Sequence, residues 1–355
     1  MNEAKTKQKA FPPNVLPGAT IFLASVCVMA LELAAGRLAA QHLGSSLYTW
    51  TTVIGVTLAG LTIGNYAGGR IADYSTKKKT IAGMFTLASI TCTGSIYLSN
   101  NIDRWLLYWP LSWPVYVFVY ISILFLLPPI FIGAIIPPVA KATLDHQQKT
   151  GQTIGSIYAY GAAGSIAGTF VAGFWLISAI GPNGIIWTTS AALLVAGLVY
   201  NPKYRLLQLW GITLVLLLFM GISKNQKLEE AGVLLSLRSK PNPNFIYEDE
   251  TKYSHISVLK VSDRPDKRIF LQDRLMHSKI EMNDITNLQY EYVRLYATVT
   301  EQNIQNKKNP AFLAIGGGGF VLPRYLKHRW PTGEVDVAEI DPGVTKAAIA
   351  AFGLQ

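Results

Sequence analysis

The first two thirds of the chain alternate long apolar runs with short polar breaks. An α-helix needs about 20 predominantly apolar residues to cross the hydrocarbon core of a bilayer. Stretches of roughly that length cover residues 19–42, 47–69, 80–98, 114–138, 154–178, 184–200 and 206–222. The breaks between them carry charged or glycine- and proline-rich turns such as "RIADYSTKKK" and "GPNG". This pattern predicts a multi-pass α-helical membrane domain of about seven helices over residues 19–224, preceded by a basic tail at residues 1–18.

Small residues recur at four-residue spacing within two of these stretches. Gly60, Gly64 and Gly68 lie in the second stretch, and Gly164 and Gly168 lie in the fifth. This spacing puts the glycines on one helix face, where two helix backbones can approach closely. The favoured interpretation is static packing, and a transporter-like moving seam is the alternative.

From about residue 231 the pattern becomes that of a soluble domain. "SHISVLKV" alternates, "SDRPDK" is a turn and "RIFLQD" returns, which predicts a β-hairpin. "LQYEYVRLYATVT" has apolar and tyrosine residues at helical spacing. The segment from "PAFLAIGGGG" to "PGVTKAAIAAFG" then predicts strand, helix, strand and helix, the first part of a parallel α/β Rossmann-like domain. Residues 225–300 are therefore predicted to form a linker and a β-hairpin region, and residues 301–355 a partial Rossmann-like domain.

Composition and charge agree with this division. The 355 residues are 50% hydrophobic and 15% charged, with a mean hydropathy of +0.28, which is too apolar for an ordinary soluble enzyme. Residues 1–224 carry 14 Lys and Arg against 5 Asp and Glu, whereas residues 225–355 carry 17 against 16. Because the positive excess belongs to the membrane half, it indicates orientation and not a nucleic-acid-binding face.

The lysine-rich breaks predict a cell (inner) membrane protein with its N-terminus in the cytoplasm. An odd number of spans would place the C-terminal domain outside, so the side of that domain is left undecided. The two cysteines, Cys27 and Cys92, lie in apolar runs without metal-ligand spacing, and no metal site is expected.

The candidate chemistry begins at "AIGGGGF", where four glycines follow an apolar strand. Glycine permits positive φ and removes Cβ atoms, so the backbone can approach a ligand closely. The dinucleotide pattern G-x-G-x-x-G does not fit, because its last position falls on Val321 or Leu322. Glu339 follows the next strand, at a spacing suited to a carboxylate that accepts hydrogen bonds from a ribose. A nucleoside site is favoured over a dinucleotide site, and a plain tight turn with an edge carboxylate is the alternative.

These segments resemble the spermidine synthase (polyamine aminopropyltransferase) family. "FLAIGGGGFVLPRYLKHRWPTGEVDVAEIDPGVTKAAIAAFGL" is similar to its nucleoside-binding segment, and "IFLQDRLMHSKIEMNDITNLQYEYVRLYATV" is similar to the region where its substrates enter. "LELAAGRLAAQHLGSSLYTWTTVIGVTLAGLTIGNYAGGRIAD" resembles the N-terminal part of membrane-fused bacterial members. The resemblance implies that the co-substrate is decarboxylated S-adenosylmethionine, that the acceptor is a polyamine or diamine such as putrescine, and that a lipid bilayer surrounds the helices.

The resemblance also implies roles for individual residues. The nucleoside would be held by Gly316, Gly317, Gly318, Gly319 and Glu339, with His277 where soluble members have a glutamine that contacts the sulfonium substrate. The amine substrate would be bound by Asp273, Tyr290 and Glu291, of which Glu291 stands where histidine or glutamine is usual. Gly319 replaces the aspartate of the family's G-G-G-D-G-G turn. Each of these roles has an alternative. His277 and Tyr290 could pack between the hairpin and the sheet, and Asp273 could cap a turn.

The implied reaction is transfer of an aminopropyl group from the sulfonium to a diamine nitrogen. The family's catalytic aspartate is expected downstream of Gln355, so this chain is expected to be incomplete as an enzyme. Two other functions stay open. One is a non-catalytic membrane transport or sensing protein that binds a nucleoside or polyamine, and the other is an S-adenosylmethionine-dependent methyltransferase. Homo-oligomerisation is also left open.

Overall fold

A computed structural model describes residues 15–106, 108–145, 150–222, 225–238, 242–304 and 307–354. The predicted basic tail therefore lies largely outside the described residues. The chain divides into two compact units. The first comprises Met1–Ala39 and Ser46–Lys240, and the second comprises Ala40–Ser45 and Pro241–Gln355. The boundary between Lys240 and Pro241 lies beyond the one predicted after residue 224.

All secondary-structure elements described for the first unit are helices. Its α-helices are α1 Val15–Leu43, α2 Leu47–Tyr74, α3 Lys78–Ser99, α4 Ile102–Leu106, α5 Trp113–Phe125, α6 Leu127–Leu144, α7 Thr150–Val171, α8 Ile177–Tyr200, α9 Arg205–Ile222 and α10 Gln226–Leu234. Among the described residues, 5 helices are long and apolar enough to cross a membrane. The count becomes 6 if the bent pair Arg205–Gly221 and Gln226–Leu234 forms one span.

The prediction of seven separate spans differs from the structure at three places. One is residues 206–222, because α9 counts as a span only when it is taken together with α10. The fourth predicted span is divided into α5 and α6, because Pro128 and Pro129 start a new helix there. The fifth and sixth predicted spans form one helical stretch of 51 residues, Thr150–Tyr200. The predicted break at "GPNG" is present at Gly181, whose φ of 68° and ψ of 173° are not helical, so that two helices meet at a kink before Pro182.

The glycine rows of the first unit pack against helix backbones, as their spacing predicts. In α2, a Cβ on Gly64 would collide with the carbonyl oxygen of Ile130 on α6. In α7, a Cβ on Gly168 would lie 2.6 Å from the carbonyl oxygen of Val26 on α1. The helix pairs α2/α6 and α1/α7 are therefore joined by backbone contact, in which no side chain larger than hydrogen fits.

Buried polar side chains of the same unit bond to one another. Ser190 Oγ on α8 lies 2.9 Å from Ser89 Oγ and 2.9 Å from Thr93 Oγ1, both on α3. The indole Nε1 of Trp210 on α9 donates to Ser89 Oγ at 2.8 Å. This neutral network links three helices and satisfies hydroxyl groups that apolar surroundings would otherwise destabilise.

The second unit begins with a four-stranded antiparallel sheet in the order β1-β2-β3-β4. Its strands are β1 Phe245–Glu250, β2 His255–Asp263, β3 Asp266–Gln272 and β4 Leu275–Glu281. The predicted hairpin is confirmed as β2 and β3, which pair from Ile256 with Gln272 to Asp263 with Asp266. The flanking strands β1 and β4 were not predicted.

The remaining elements follow the predicted order. They are α11 Glu291–Ile304, β5 Ala311–Ile315, α12 Val321–Arg329, β6 Glu334–Ala338 and α13 Pro342–Phe352. Strands β5 and β6 pair in parallel, with Ile315 opposite Ala338. The core of the unit brings residues of the antiparallel sheet, such as Phe270, against Phe352 of α13 and Val293 of α11.

The exposed face of the β5/β6 pair is apolar along β5 and carries Glu334 and Asp336 on β6. Leu313 and Ile315 on β5 are 70% and 88% exposed, and Ile340 after β6 is 73% exposed. A two-stranded parallel pair leaves such a face open unless further elements cover it. The described residues of this unit therefore bury only part of the apolar surface that this parallel pair presents.

Candidate functional site

The four glycines form a tight turn between β5 and α12. Gly316, Gly318 and Gly319 have φ of 91°, 50° and 78°, a region that side chains disfavour. The amide of Gly316 donates to the carbonyl oxygen of Ala338 at 2.9 Å, which carries the parallel pairing one residue past β5. The turn therefore reverses the chain directly at the carboxyl edge of the strand pair.

The glycines differ in what surrounds them. A Cβ on Gly317 would lie 2.6 Å from the Phe320 ring, and a Cβ on Gly319 would lie 2.5 Å from Ser278 Oγ. At Gly316 no described heavy atom lies within 4 Å of the Cβ position. At Gly318 the nearest is the Tyr292 hydroxyl, at 4.0 Å. The turn thus packs against protein at its second and fourth glycines and is open at its first and third.

Glu339 is fixed beside this turn by two backbone amides. Its Oε2 accepts from Gly317 N at 2.5 Å, and its Oε1 accepts from Asp341 N at 2.8 Å. Each carboxylate oxygen has two lone pairs, so each keeps capacity for a further donor. The predicted pair of turn and acid is therefore brought together, and the carboxylate is held in one orientation.

Asp341, two residues further on, has a structural role. Its Oδ1 accepts from Gly343 N at 2.9 Å and caps α13, and its Oδ2 accepts from Thr251 Oγ1 at 2.7 Å. The side chain is 2% exposed. Of the two acids that follow β6, Glu339 is the one with capacity for a ligand.

Asp273 occupies the turn between β3 and β4. It has φ 52°, its amide donates to the carbonyl oxygen of His255 at 2.7 Å, and its Oδ1 accepts from His255 N at 3.0 Å. One carboxylate oxygen of Asp273 therefore caps the turn, which is the alternative role that the sequence analysis gave for this residue. The other oxygen, Oδ2, accepts no hydrogen bond from the described residues.

His277 on β4 lies within electrostatic range of both carboxylates. Partial burial lowers the pKa of His277, while the negative charges of Asp273 and Glu339 raise that pKa and offset part of the effect. Its ring also stands edge-on to Phe270, with centroids 6.5 Å apart. His277 therefore both packs against Phe270 and lies near the two acids.

The tyrosine nearest the glycine turn is Tyr292, which the sequence analysis did not select. Its hydroxyl donates to the carbonyl oxygen of His277 at 2.8 Å and lies beside Gly318. Tyr290 donates to the carbonyl oxygen of Met276 at 3.2 Å and packs against the core. Glu291 is exposed at the start of α11, and no hydrogen bond or ion pair between described residues joins it to the cluster.

Ser278 is a second residue that sequence reasoning did not select. Its side chain is 1% exposed, and its Oγ has no hydrogen-bond partner among the described residues. This hydroxyl stands where a side chain on residue 319 would have to go. The contact leaves no room for a side chain at residue 319.

The residues brought together are thus the glycine turn, Glu339, His277, Asp273 and Tyr292. No group of three or more His, Cys, Asp or Glu side chains suited to a metal ion occurs among the described residues. Comparison with known proteins gives no match to this chain among protein-family models, curated proteins or solved structures.

Proposed function

We propose that the second unit binds an S-adenosyl sulfonium nucleoside, and that the protein is a membrane-anchored aminopropyltransferase of the spermidine synthase type. The segment β5-α12-β6-α13 is then the first part of a Rossmann-like transferase domain. In open α/β sheets, ligands bind at the carboxyl ends of the strands. The observation that carries the proposal is the fixed Glu339 carboxylate beside a glycine turn that is open at Gly316 and Gly318.

The charges around the turn suit a cationic ligand. The carboxylates of Asp273 and Glu339 both lie within electrostatic range of His277. The turn itself supplies no third carboxylate, because Gly319 leaves no room for one. Asp273 is therefore the acid proposed to attract the amine or the sulfonium, while Glu339 accepts hydrogen bonds from the ribose.

The proposed reaction balances without a redox partner. The lone pair of a diamine nitrogen forms a bond to the CH₂ carbon attached to the sulfonium, the C–S bond breaks, and its electrons remain on sulfur. The nitrogen releases its proton to a base or to water. Because the sulfonium is already a good leaving group, most of the catalytic contribution would come from holding the two substrates in line.

A binding measurement on the full chain in detergent tests the nucleoside site. The probe is 5′-methylthioadenosine, followed by titration calorimetry. Glu339→Gln is expected to weaken binding at least about tenfold, because charge-assisted hydrogen bonds contribute about 1.5–3 kcal/mol. Glu334→Gln, at the other end of the same strand, is the matched control and should bind as wild type does. Equal affinity of Glu339→Gln and wild type would contradict the site.

The reaction class is tested separately with labelled substrates. Wild-type protein is incubated with putrescine and either decarboxylated or ordinary S-adenosylmethionine. Label transfer from the decarboxylated compound supports the aminopropyltransferase proposal. Transfer from ordinary S-adenosylmethionine would replace it with a methyltransferase. Binding without product would leave the nucleoside site in place and count against transferase activity of this chain alone.

A further inference from the structure

The first unit contains a cleft of about 690 Å³ that the proposed transferase function does not use. Its walls come from α1, α2, α6 and α7. These are the members of the two glycine-joined pairs, α1/α7 and α2/α6, so the cleft separates two tightly packed helix pairs. Each pair is closed by backbone contact, which makes the cleft between them a property of the fold and not of a mobile side chain.

Most of the wall is apolar, and its polar residues are Ser25, Asn65 and Tyr158. None of the described residues that line it is charged. None of the three polar side chains forms a hydrogen bond to another described residue. Elsewhere in this unit, buried hydroxyls such as those of Ser89 and Ser190 are paired with each other.

The depth of Asn65 adds a second constraint. Helix α2 has 28 residues, a length of about 42 Å, which matches a bilayer including its headgroup layers. Asn65 lies about 14 Å before the end of this helix at Tyr74. In a bilayer matched to α2, its amide would therefore lie a short distance below the surface of the hydrocarbon core, where an unpaired amide is costly.

We propose that this cleft binds a neutral amphiphile with a hydroxyl or ester head and an apolar body, the chemistry of a diacylglycerol. The absence of charge from the wall disfavours a polyamine or a nucleoside. The amide of Asn65 and the hydroxyls of Ser25 and Tyr158 match donors and acceptors of a glycerol ester, and the remaining wall packs on acyl chain. The site is independent of the nucleoside site of the second unit.

The test uses the full chain in phosphatidylcholine nanodiscs with a photoactivatable, alkyne-tagged diacylglycerol. Gly161 lines the cleft, and a Cβ there meets Ser25 Oγ at 3.6 Å, an ordinary contact distance, so a larger side chain can extend into the space. Gly161→Leu is expected to reduce labelling about fivefold or more, and Asn65→Leu about fivefold through the lost hydrogen bond. Gly155→Leu is the matched control on the same helix, since nothing described lies within 4 Å of its Cβ position.

Peptide mapping and competition decide the outcome. Labels on α1 and α7 that unlabelled diacylglycerol removes and spermidine leaves in place support the proposal. Competition by spermidine, labelling that diacylglycerol does not reduce, or equal labelling of Gly161→Leu, Asn65→Leu and wild type would overturn it. Each variant is first checked for the wild-type elution volume in size-exclusion chromatography.

Discussion

The α2/α6 helix pair and the turn after β5 both require glycine, but different features exclude a side chain in each. In α2 the backbone is helical, and the obstacle at Gly64 is the carbonyl oxygen of Ile130 on the neighbouring helix. In the turn, the obstacle at Gly316 is its own φ of 91°, and the space beside it is open. Glycine therefore closes a helix interface in the first unit and leaves an accessible backbone in the second.

The two units also differ in how their polar side chains are arranged. The network of Ser89, Ser190 and Trp210 is neutral and internally hydrogen-bonded. In the second unit, His277 stands within electrostatic range of two carboxylates at the edge of the strand pair. The first arrangement stabilises packing, whereas the second keeps charge available at an open edge, which is where ligand chemistry is expected.

The largest expected effect is at the helix interface. Gly64→Ala places a methyl group against the Ile130 carbonyl, so α2 and α6 must separate along their contact. We expect the free energy of unfolding to fall by about 3 kcal/mol or more, the upper end of overpacking costs. The fall is measured as a lower thermal midpoint of the full chain in detergent.

Gly69→Ala is the control for that substitution, because it lies on the same helix and nothing described lies within 4 Å of its Cβ position. It should leave the thermal midpoint close to that of wild type. If the two variants unfold alike, close backbone contact is not what holds this helix pair together.

Local sequence patterns predicted much of this architecture. The glycine spacing in α2 and α7 predicted backbone contact, and the alternation in β2 and β3 predicted a hairpin, because both depend on neighbours within one element. The predicted break between residues 154–178 and 184–200 is present at Gly181, where non-helical φ and ψ angles separate two helices of the stretch Thr150–Tyr200. Glycine followed by proline at 181 and 182 is the sequence signature of this kink.

The site was predictable in part for the same reason. Four glycines followed by Glu339 predicted an acid beside a turn, and the register of Ile315 opposite Ala338 places them together. Tyr292 was missed because "YEY" offers two tyrosines that differ by about 200° around a helix axis, and the start of α11 decides which one faces the turn. Ser278 left no local signal, since its importance comes from a contact with residue 319.

Two substitutions within the turn separate backbone strain from lack of space as the reason for glycine. Gly316→Ala introduces only the strain of a positive φ, which costs about 1–2 kcal/mol. Gly319→Ala adds a collision with Ser278 Oγ and should cost about 2–3 kcal/mol. Amide hydrogen exchange of β4 and α13, followed by mass spectrometry, reports both losses locally.

A double variant tests the cause of that difference. Ser278→Ala removes the Oγ, which has no hydrogen-bond partner among the described residues, and alone should change protection little. In the Ser278→Ala background, Gly319→Ala should cost no more than Gly316→Ala does in wild type. Additive losses from the two substitutions would show that the Ser278 contact does not exclude a side chain at residue 319.

The smallest expected effect concerns charge at the open edge. Burial lowers the pKa of His277 in the folded protein, so below its ordinary pKa the unfolded chain binds the proton more readily than the folded chain does. Stability of the second unit should therefore fall with acidification from about pH 7.5 to about pH 5.5. His277→Gln removes this contribution and should flatten the decline, measured by hydrogen exchange of β4 corrected for the intrinsic pH dependence of exchange.

His328→Gln, an exposed histidine of the same unit, controls for the loss of one imidazole. A decline as steep in His277→Gln as in His328→Gln would place the acid sensitivity of this unit elsewhere than beside Asp273 and Glu339.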